Sequence, residues 1–259
     1  RVDTRIQTAP GRLTIGNRTI GDAPAHGMLT VEEIVSKSSN VGTAKIALEL
    51  PAQKLWDTYT GVGFGQAPRL DFPGAVTGRL RPAKTWRPIE QETISYGHGV
   101  SVTLVQRARA YSVFANDGRL VPLTLLKTDT TAMPVRAMSS DTALAMRKML
   151  EMAVGPEGTA PAARIPAYRV AGKTGTAYKI KNGQYVKEYV ASFVGFAPVS
   201  DPRIVVAVMI DEPAGAHYGG QVAAPVFAAI TASALRTLQV TPDAPIDPGR
   251  EMIASRSAP

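Results

Sequence analysis

Residues 168–210 read YRVAGKTGTAYKIKNGQYVKEYVASFVGFAPVSDPRIVVAVMI. Three segments of it, Tyr168–Thr176, Glu188–Phe196 and Arg203–Ile210, have the Val, Ile, Phe and Tyr content of β-strands. The turns between them carry Lys181-Asn182-Gly183 and Pro198-Val199-Ser200-Asp201-Pro202, residue types that reverse a chain within a few positions. Connections this short join antiparallel neighbours, because a parallel crossover needs a dozen residues or more. Arg203–Ile210 is nearly all apolar, which predicts a central strand covered on both faces.

Outward from this meander the periodicity is helical. Residues 222–239 read as a closing helix. Residues 141–153 read as another, capped by Ser140 or Asp141 and stopped by Gly155-Pro156. Residues 102–115 have apolar positions at helical spacing and end at Asn116-Asp117-Gly118. Thr30-Val31-Glu32-Glu33 is a capping box that opens a short helix to about Ser36. A second helix occupies 41–50, and Pro51 suits the first turn of a third through about Thr58. Residues 1–29 read as extended or looped, and 61–93, rich in Gly and Pro, as a long irregular segment. The fold class is α+β: helices first, then an antiparallel meander, then a helix returning over the sheet. Residues 1–240 read as part of one domain. Residues 241–259, with Pro at 242, 245, 248 and 259, are expected to be a mobile tail.

Composition narrows the function classes. The 259 residues are 44 % hydrophobic and 19 % charged, enough apolar surface to offset the entropy of ordering. The absence of cysteine excludes thiolate catalysis, disulfides, Fe–S clusters and Cys-based zinc sites. The histidines, His26, His98 and His217, form no HExxH, and Gly99-Val100-Ser101-Val102-Thr103 lacks the last glycine of a GxSxG elbow. The longest apolar run, Ile204–Ile210, is too short to span a bilayer, which takes about 20 residues. A net charge of +8 suits an anionic partner. The basic residues are scattered and aromatics are only 6 %, which argues for a solvated basic surface facing cell wall or membrane rather than for nucleic-acid binding.

Two motifs can carry chemistry. Lys173-Thr174-Gly175-Thr176 lies inside a predicted strand, where a glycine often marks close approach of a ligand or another backbone. A cation and two hydroxyls around it would suit a carboxylate. The alternative is a surface strand with a solvated lysine and a bulge. The pattern arises by chance in a chain this long about 1 % of the time, so it is the stronger of the two signals. Ser38-Ser39-Asn40 joins two helical stretches and can either face a cleft or merely cap a helix.

Together and in this order, the two motifs are two-thirds of the S-x-x-K, S-x-N, K-T-G set of penicillin-recognising serine enzymes. The chain resembles the transpeptidase domain of class B penicillin-binding proteins, most closely the division-specific, septal peptidoglycan synthases. Ser38-Ser-Asn-Val-Gly42, Ser95-Tyr-Gly-His-Gly99, Ala171-Gly-Lys-Thr-Gly-Thr-Ala177, Phe193-Val-Gly-Phe-Ala-Pro198 and Tyr218-Gly-Gly-Gln-Val-Ala-Ala-Pro225 carry the resemblance over about residues 1–240. One element departs from it: no serine opens an S-x-x-K. Thr124-Leu-Leu-Lys127 and Thr176-Ala-Tyr-Lys179 fit only with threonine. The expectation is that the nucleophilic Ser and its Lys precede Arg1, together with the first strands of the family's sheet.

The resemblance implies a penicillin-binding protein/serine β-lactamase-like fold, an antiparallel sheet flanked by helices. It implies a D,D-transpeptidase acting on peptidoglycan stem peptides ending in D-Ala-D-Ala, inhibited by β-lactams and needing no metal or cofactor. Ser38 would relay a proton to the leaving D-Ala, Asn40 would hold the substrate amide and the base Lys, and Lys173 would add positive field. Thr174 and Thr176 would bind the terminal carboxylate, Gly175 would let the substrate lie along the strand, and His217 and Tyr218 would shape the rim. The location implied is the periplasmic side of a bacterial inner membrane, with a lipid-linked-precursor glycosyltransferase and other divisome proteins as partners and no nucleic acid. The rival readings are a D,D-carboxypeptidase, β-lactamase or β-lactam sensor of the same superfamily, and a non-catalytic binding fragment or pseudoenzyme. No Glu-x-x-x-Asn segment suited to deacylation lies between the two motifs, which favours the transpeptidase.

Overall fold

The computed structural model describes residues 1–70, 72–127 and 132–245. Residues 1–29, expected to be extended or looped, form two small antiparallel pairs: β1 (Arg5–Gln7) with β4 (Met28–Thr30), and β2 (Arg12–Ile15) with β3 (Arg18–Gly21). Gly16, at φ 61°, makes the tight turn between β2 and β3.

Helices α1 (Val31–Lys37), α2 (Asn40–Leu48) and α3 (Ala52–Gly61) follow where capping chemistry places them. At the start of α1 the Glu33 N–H donates to Thr30 Oγ1 at 3.2 Å, and the Thr30 N–H donates to Glu33 Oε2 at 2.9 Å, closing the capping box.

The segment expected to be irregular contains an α-helix that sequence reasoning missed, α4 (Pro88–Ser95). Its eight residues are too few for a clear period. Tertiary contacts hold it: Gln91 Nε2 donates to the carbonyls of Ala47 and Leu50, both at 2.7 Å. Glu92 of α4 is fully buried, and neither carboxylate oxygen has a hydrogen-bond partner.

Helix α5 (Leu104–Ala115) opens with a Thr103–Gln106 capping box. The buried Gln106 amide also donates to the carbonyls of Gln66 and Thr77, at 2.7 and 2.8 Å, and so shapes the loop before α4. A two-residue pair follows, β5 (Arg119–Leu120) with β6 (Val135–Arg136). Helix α6 (Ser140–Val154) is capped by Ser139, whose Oγ accepts the Thr142 N–H, one position before the expected cap.

The meander is β7 (Ala171–Lys181), β8 (Gln184–Ala197) and β9 (Ile204–Asp211), antiparallel in the order β7-β8-β9. Asn182 and Gly183, both at positive φ, form the two-residue hairpin. The expectation of β9 as the central strand is corrected: β8 is central among the described strands and β9 flanks it. Residues 191–199 of β8 and its exit are buried because helices cover both faces, whereas Met209 of β9 is 55 % exposed. Helix α7 (Gly219–Thr237) covers one face with Phe227, packed 4.7 Å from Phe193 between ring centroids. On the other face Leu150 of α6 and Tyr111 and Phe114 of α5 pack around Ala171 and Phe196. Burial of each such large side chain stabilises by about 1.5–3 kcal/mol.

The tail expected from Thr241 begins tied down. The Asp243 carboxylate accepts from the Arg169 and Ser200 N–H groups and the Ser200 hydroxyl. Residues 246–259 lie outside the described residues. Among the described residues no helix is long and apolar enough to cross a membrane.

Candidate active site

The two motifs meet. Lys173 Nζ donates to Ser38 Oγ at 2.7 Å and lies 3.4 Å from Thr174 Oγ1. Ser38 ends α1 in the left-handed region, φ 60° and ψ 42°, where a non-glycine residue stores strain of about 1–3 kcal/mol. That turn leaves its hydroxyl exposed toward β7.

The helix-capping role belongs to the neighbouring serine. Ser39 Oγ accepts the Gly42 N–H at 2.9 Å and donates to Asp22 Oδ2 at 2.6 Å, while Asp22 Oδ1 accepts the Val41 N–H at 3.0 Å. Asp22 thus pins the loop that presents Ser38. Asn40 is not bonded to Lys173; its Nδ2 donates to the Gly21 carbonyl at 3.3 Å.

Lys173 carries no carboxylate partner among the described residues, and its amine is pushed down to about 8 by burial, helped by the positive charge of Arg107. Both threonine hydroxyls are oriented from within the chain. Thr174 Oγ1 lies 3.0 Å from Thr159 Oγ1, and Thr176 Oγ1 accepts the Gly219 N–H at the start of α7, also at 3.0 Å. With that acceptor bond fixed, the Thr176 O–H remains available to donate to an anion.

Gly175 is required by its inner neighbours. An added Cβ would lie 2.7 Å from Ser192 Oγ and 3.0 Å from Arg107 Nη2. The glycine therefore answers to packing on the sheet's inner face, while the β7 edge away from β8 has no partner strand among the described residues.

Tyr218 caps α7 and is 54 % exposed. It continues an aromatic row: Tyr218 to His217 at 4.5 Å, His217 stacked on Tyr189 at 3.9 Å, and Tyr189 to Tyr178 at 4.8 Å between centroids. His98 from the loop after α4 meets the same hairpin, its Nδ1 3.3 Å from the Tyr185 hydroxyl.

Sequence reasoning missed Asp22, Tyr189, Ser192 and Arg107. Each is ordinary in its local sequence and acquires a role only across the fold. Among the described residues no group of His, Cys, Asp and Glu is gathered to hold a metal. On α4, between the motifs, Glu90 is held near 2 by the Arg87 N–H and by Arg81, and Glu92 is sealed from solvent. Neither is poised to activate water.

Four similarities bear on this geometry. The family model described as "Penicillin binding protein transpeptidase domain" matches residues 1–232. The chain is 39 % identical over 247 residues to the probable peptidoglycan D,D-transpeptidase PenA of Neisseria gonorrhoeae, covering 95 % of this chain and 42 % of that protein. It is 38 % identical over 246 residues to the peptidoglycan D,D-transpeptidase FtsI of Escherichia coli K12, covering 94 % of this chain and 42 % of that one. The chain therefore spans less than half the length of these curated relatives. The apo TP domain of Burkholderia pseudomallei penicillin-binding protein 3 superposes with a TM-score of 0.89 at 50 % identity, over 94 % of this chain and 75 % of that one.

Proposed function

The chain belongs to the penicillin binding protein transpeptidase domain family, and on that premise we propose that it is the C-terminal part of a peptidoglycan D,D-transpeptidase. The substrate is a stem peptide ending in D-Ala-D-Ala. A serine supplied from outside these 259 residues, with its lysine as base, attacks the penultimate carbonyl. The C-terminal D-Ala leaves with a proton delivered through Ser38. The acyl-serine is then opened by the amine of a second stem, which forms the crosslink and restores the serine. Lys173 supplies positive field, Thr174 and Thr176 hold the terminal carboxylate, and the Thr176 N–H contributes to the oxyanion hole. Asn40 swings from Gly21 to hold the substrate amide. The substrate pairs with the free edge of β7 as an added strand. Tyr218 forms part of the rim.

The observation that carries this reading is the Lys173 Nζ–Ser38 Oγ bond at 2.7 Å. A basic amine and a hydroxyl in contact at the end of an open strand edge form a proton relay beside a peptide-binding rail. By the same reading the enzyme works at the septum, on the periplasmic side of the inner membrane. β-Lactams acylate it, and it works beside a glycosyltransferase that consumes lipid-linked precursor and with other divisome proteins.

Labelling of the complete enzyme with a fluorescent penicillin, read on a denaturing gel, tests the reading. A stable covalent label, weakened by Lys173→Ala, is expected. No label on a folded enzyme would leave a binding module. Rapid penicillin turnover would point to a β-lactamase, and D-Ala release without crosslinks to a carboxypeptidase.

A further inference from the structure

Arg107 is a charged residue beside the site that the proposed chemistry leaves unused. It sits in the first turns of α5, and its Nη1 donates to Ser192 Oγ at 2.6 Å. Ser192 is buried on β8 directly opposite Gly175, and its Oγ donates to the Gly175 carbonyl at 3.3 Å. The Arg107 guanidinium also covers Gly175, occupying space a side chain there would need. A relay thus runs from α5 through β8 to the β7 carbonyl, two residues from Lys173.

Side chains alternate along a strand, so Lys173 and Gly175 share one face and two cations meet on it. Among the described residues neither has an acidic partner: Lys173 contacts Ser38 and Thr174, and Arg107 contacts Ser192. The other charged groups on the neighbouring elements pair elsewhere, are exposed, or lie at helix ends. On α6, Arg147 pairs with Asp117, Glu151 pairs with Arg169, and Lys148 and Asp141 are exposed. On α5, Arg109 donates to the Val121 carbonyl; on β8, Glu188 pairs with Lys181; on α7, Arg236 lies in the last turn. On α1, Glu33 is held by Thr30, and Lys37 and Glu32 flank the helix ends.

Resting on the transpeptidase reading of the site, we propose that Arg107 is a positioning residue for the reaction: it braces the Gly175 segment of β7 through Ser192 and sets a second positive charge beside the Lys173–Ser38 contact. Like charges in one half-buried space favour release of a proton from the stronger acid of the two, here the lysine ammonium. That accords with the amine at about 8, lowered first by burial and then by Arg107. Near neutrality Lys173 can then exchange protons with Ser38. As the leaving D-Ala amine takes the Ser38 proton, Lys173 replaces it and is itself reprotonated from solvent.

The test is a pH titration of Lys173 by NMR in the complete enzyme carrying 13C-labelled lysine, with Lys173→Ala used to assign the resonance. Arg107→Met is expected to raise the Lys173 midpoint by roughly 0.5–1 unit, while Arg107→Lys, which keeps the charge, leaves it in place. Amide exchange at the Gly175 segment is expected to quicken in Arg107→Met and Ser192→Ala. An unchanged midpoint in folded Arg107→Met overturns the proposal. Should that variant not fold, Arg107→Gln, which keeps a donor for Ser192, gives the same reading. The titration needs no turnover. Absence of acylation in the complete wild-type enzyme would therefore remove the transpeptidase reading separately.

Discussion

Lys173 Nζ and Ser38 Oγ, 135 positions apart in the chain, lie 2.7 Å apart in the fold. The bond joins the end of α1 to β7. It depends on two local accidents of backbone: a left-handed Ser38 and a strand that carries Lys173 on its inner face.

Ser38 should separate strain from function. Ser38→Gly removes the left-handed penalty and should be more stable than Ser38→Ala by about 0.5–1 kcal/mol in urea unfolding. Both should slow acylation of the complete enzyme by penicillin about 100-fold or more, as expected for loss of a proton relay. Equal stability of the two variants would count against the strained geometry.

Lys173 should weaken the fold it serves. Its folded amine sits at about 8, below the ordinary 10.5, so the unfolded chain binds more protons between those values. Stability contributed through this group therefore rises as pH climbs from about 8 to 10.5. Lys173→Met should raise stability at pH 7 by about 1–2 kcal/mol and flatten that rise, while weakening penicillin labelling. Urea midpoints measured at pH 7 and pH 10 check the sign.

Gly175→Ala should be costly although its new methyl group is small. The added Cβ meets Ser192 Oγ and Arg107 Nη2, and overpacking of this kind costs about 1–3 kcal/mol. The double variant Gly175→Ala with Ser192→Gly should recover part of the lost Tm. No recovery would place the conflict elsewhere on β7.

Glu92 should make the chain sensitive to pH in the opposite sense. Burial without a partner holds its carboxyl above the ordinary 4.5, so the folded state binds the proton more tightly than the unfolded state does. The stabilisation is full below 4.5 and is lost as pH rises through the folded value. Glu92→Gln should be more stable than wild type at pH 7, by about 1–3 kcal/mol, with the gap closing below pH 4.5. A gap independent of pH would show that the carboxyl is not the cause.

Much of this was legible from local chemistry. The Thr30–Glu33 box, the Asn182-Gly183 hairpin and the periodic stretches that became α5 and α6 are each decided within about four residues, where capping and side-chain alternation operate. The pairing of Ser-x-Asn with Lys-Thr-Gly pointed to the residues that meet. Less was legible where the neighbour decides. Apolarity made β9 look central, but among the described strands the order puts β8 there. Helix α4 owes its place to Gln91 reaching the end of α2.

The sequence by itself determined most of the element types, the antiparallel meander and the identities of Ser38 and Lys173, because propensity, turn chemistry and residue spacing act over a few positions. The tertiary structure alone decided which of two adjacent serines caps and which faces the cleft. It alone put Asp22 behind the loop and Arg107 beneath Gly175. Those outcomes depend on which surfaces close against each other across tens of residues, and no local period carries that distance.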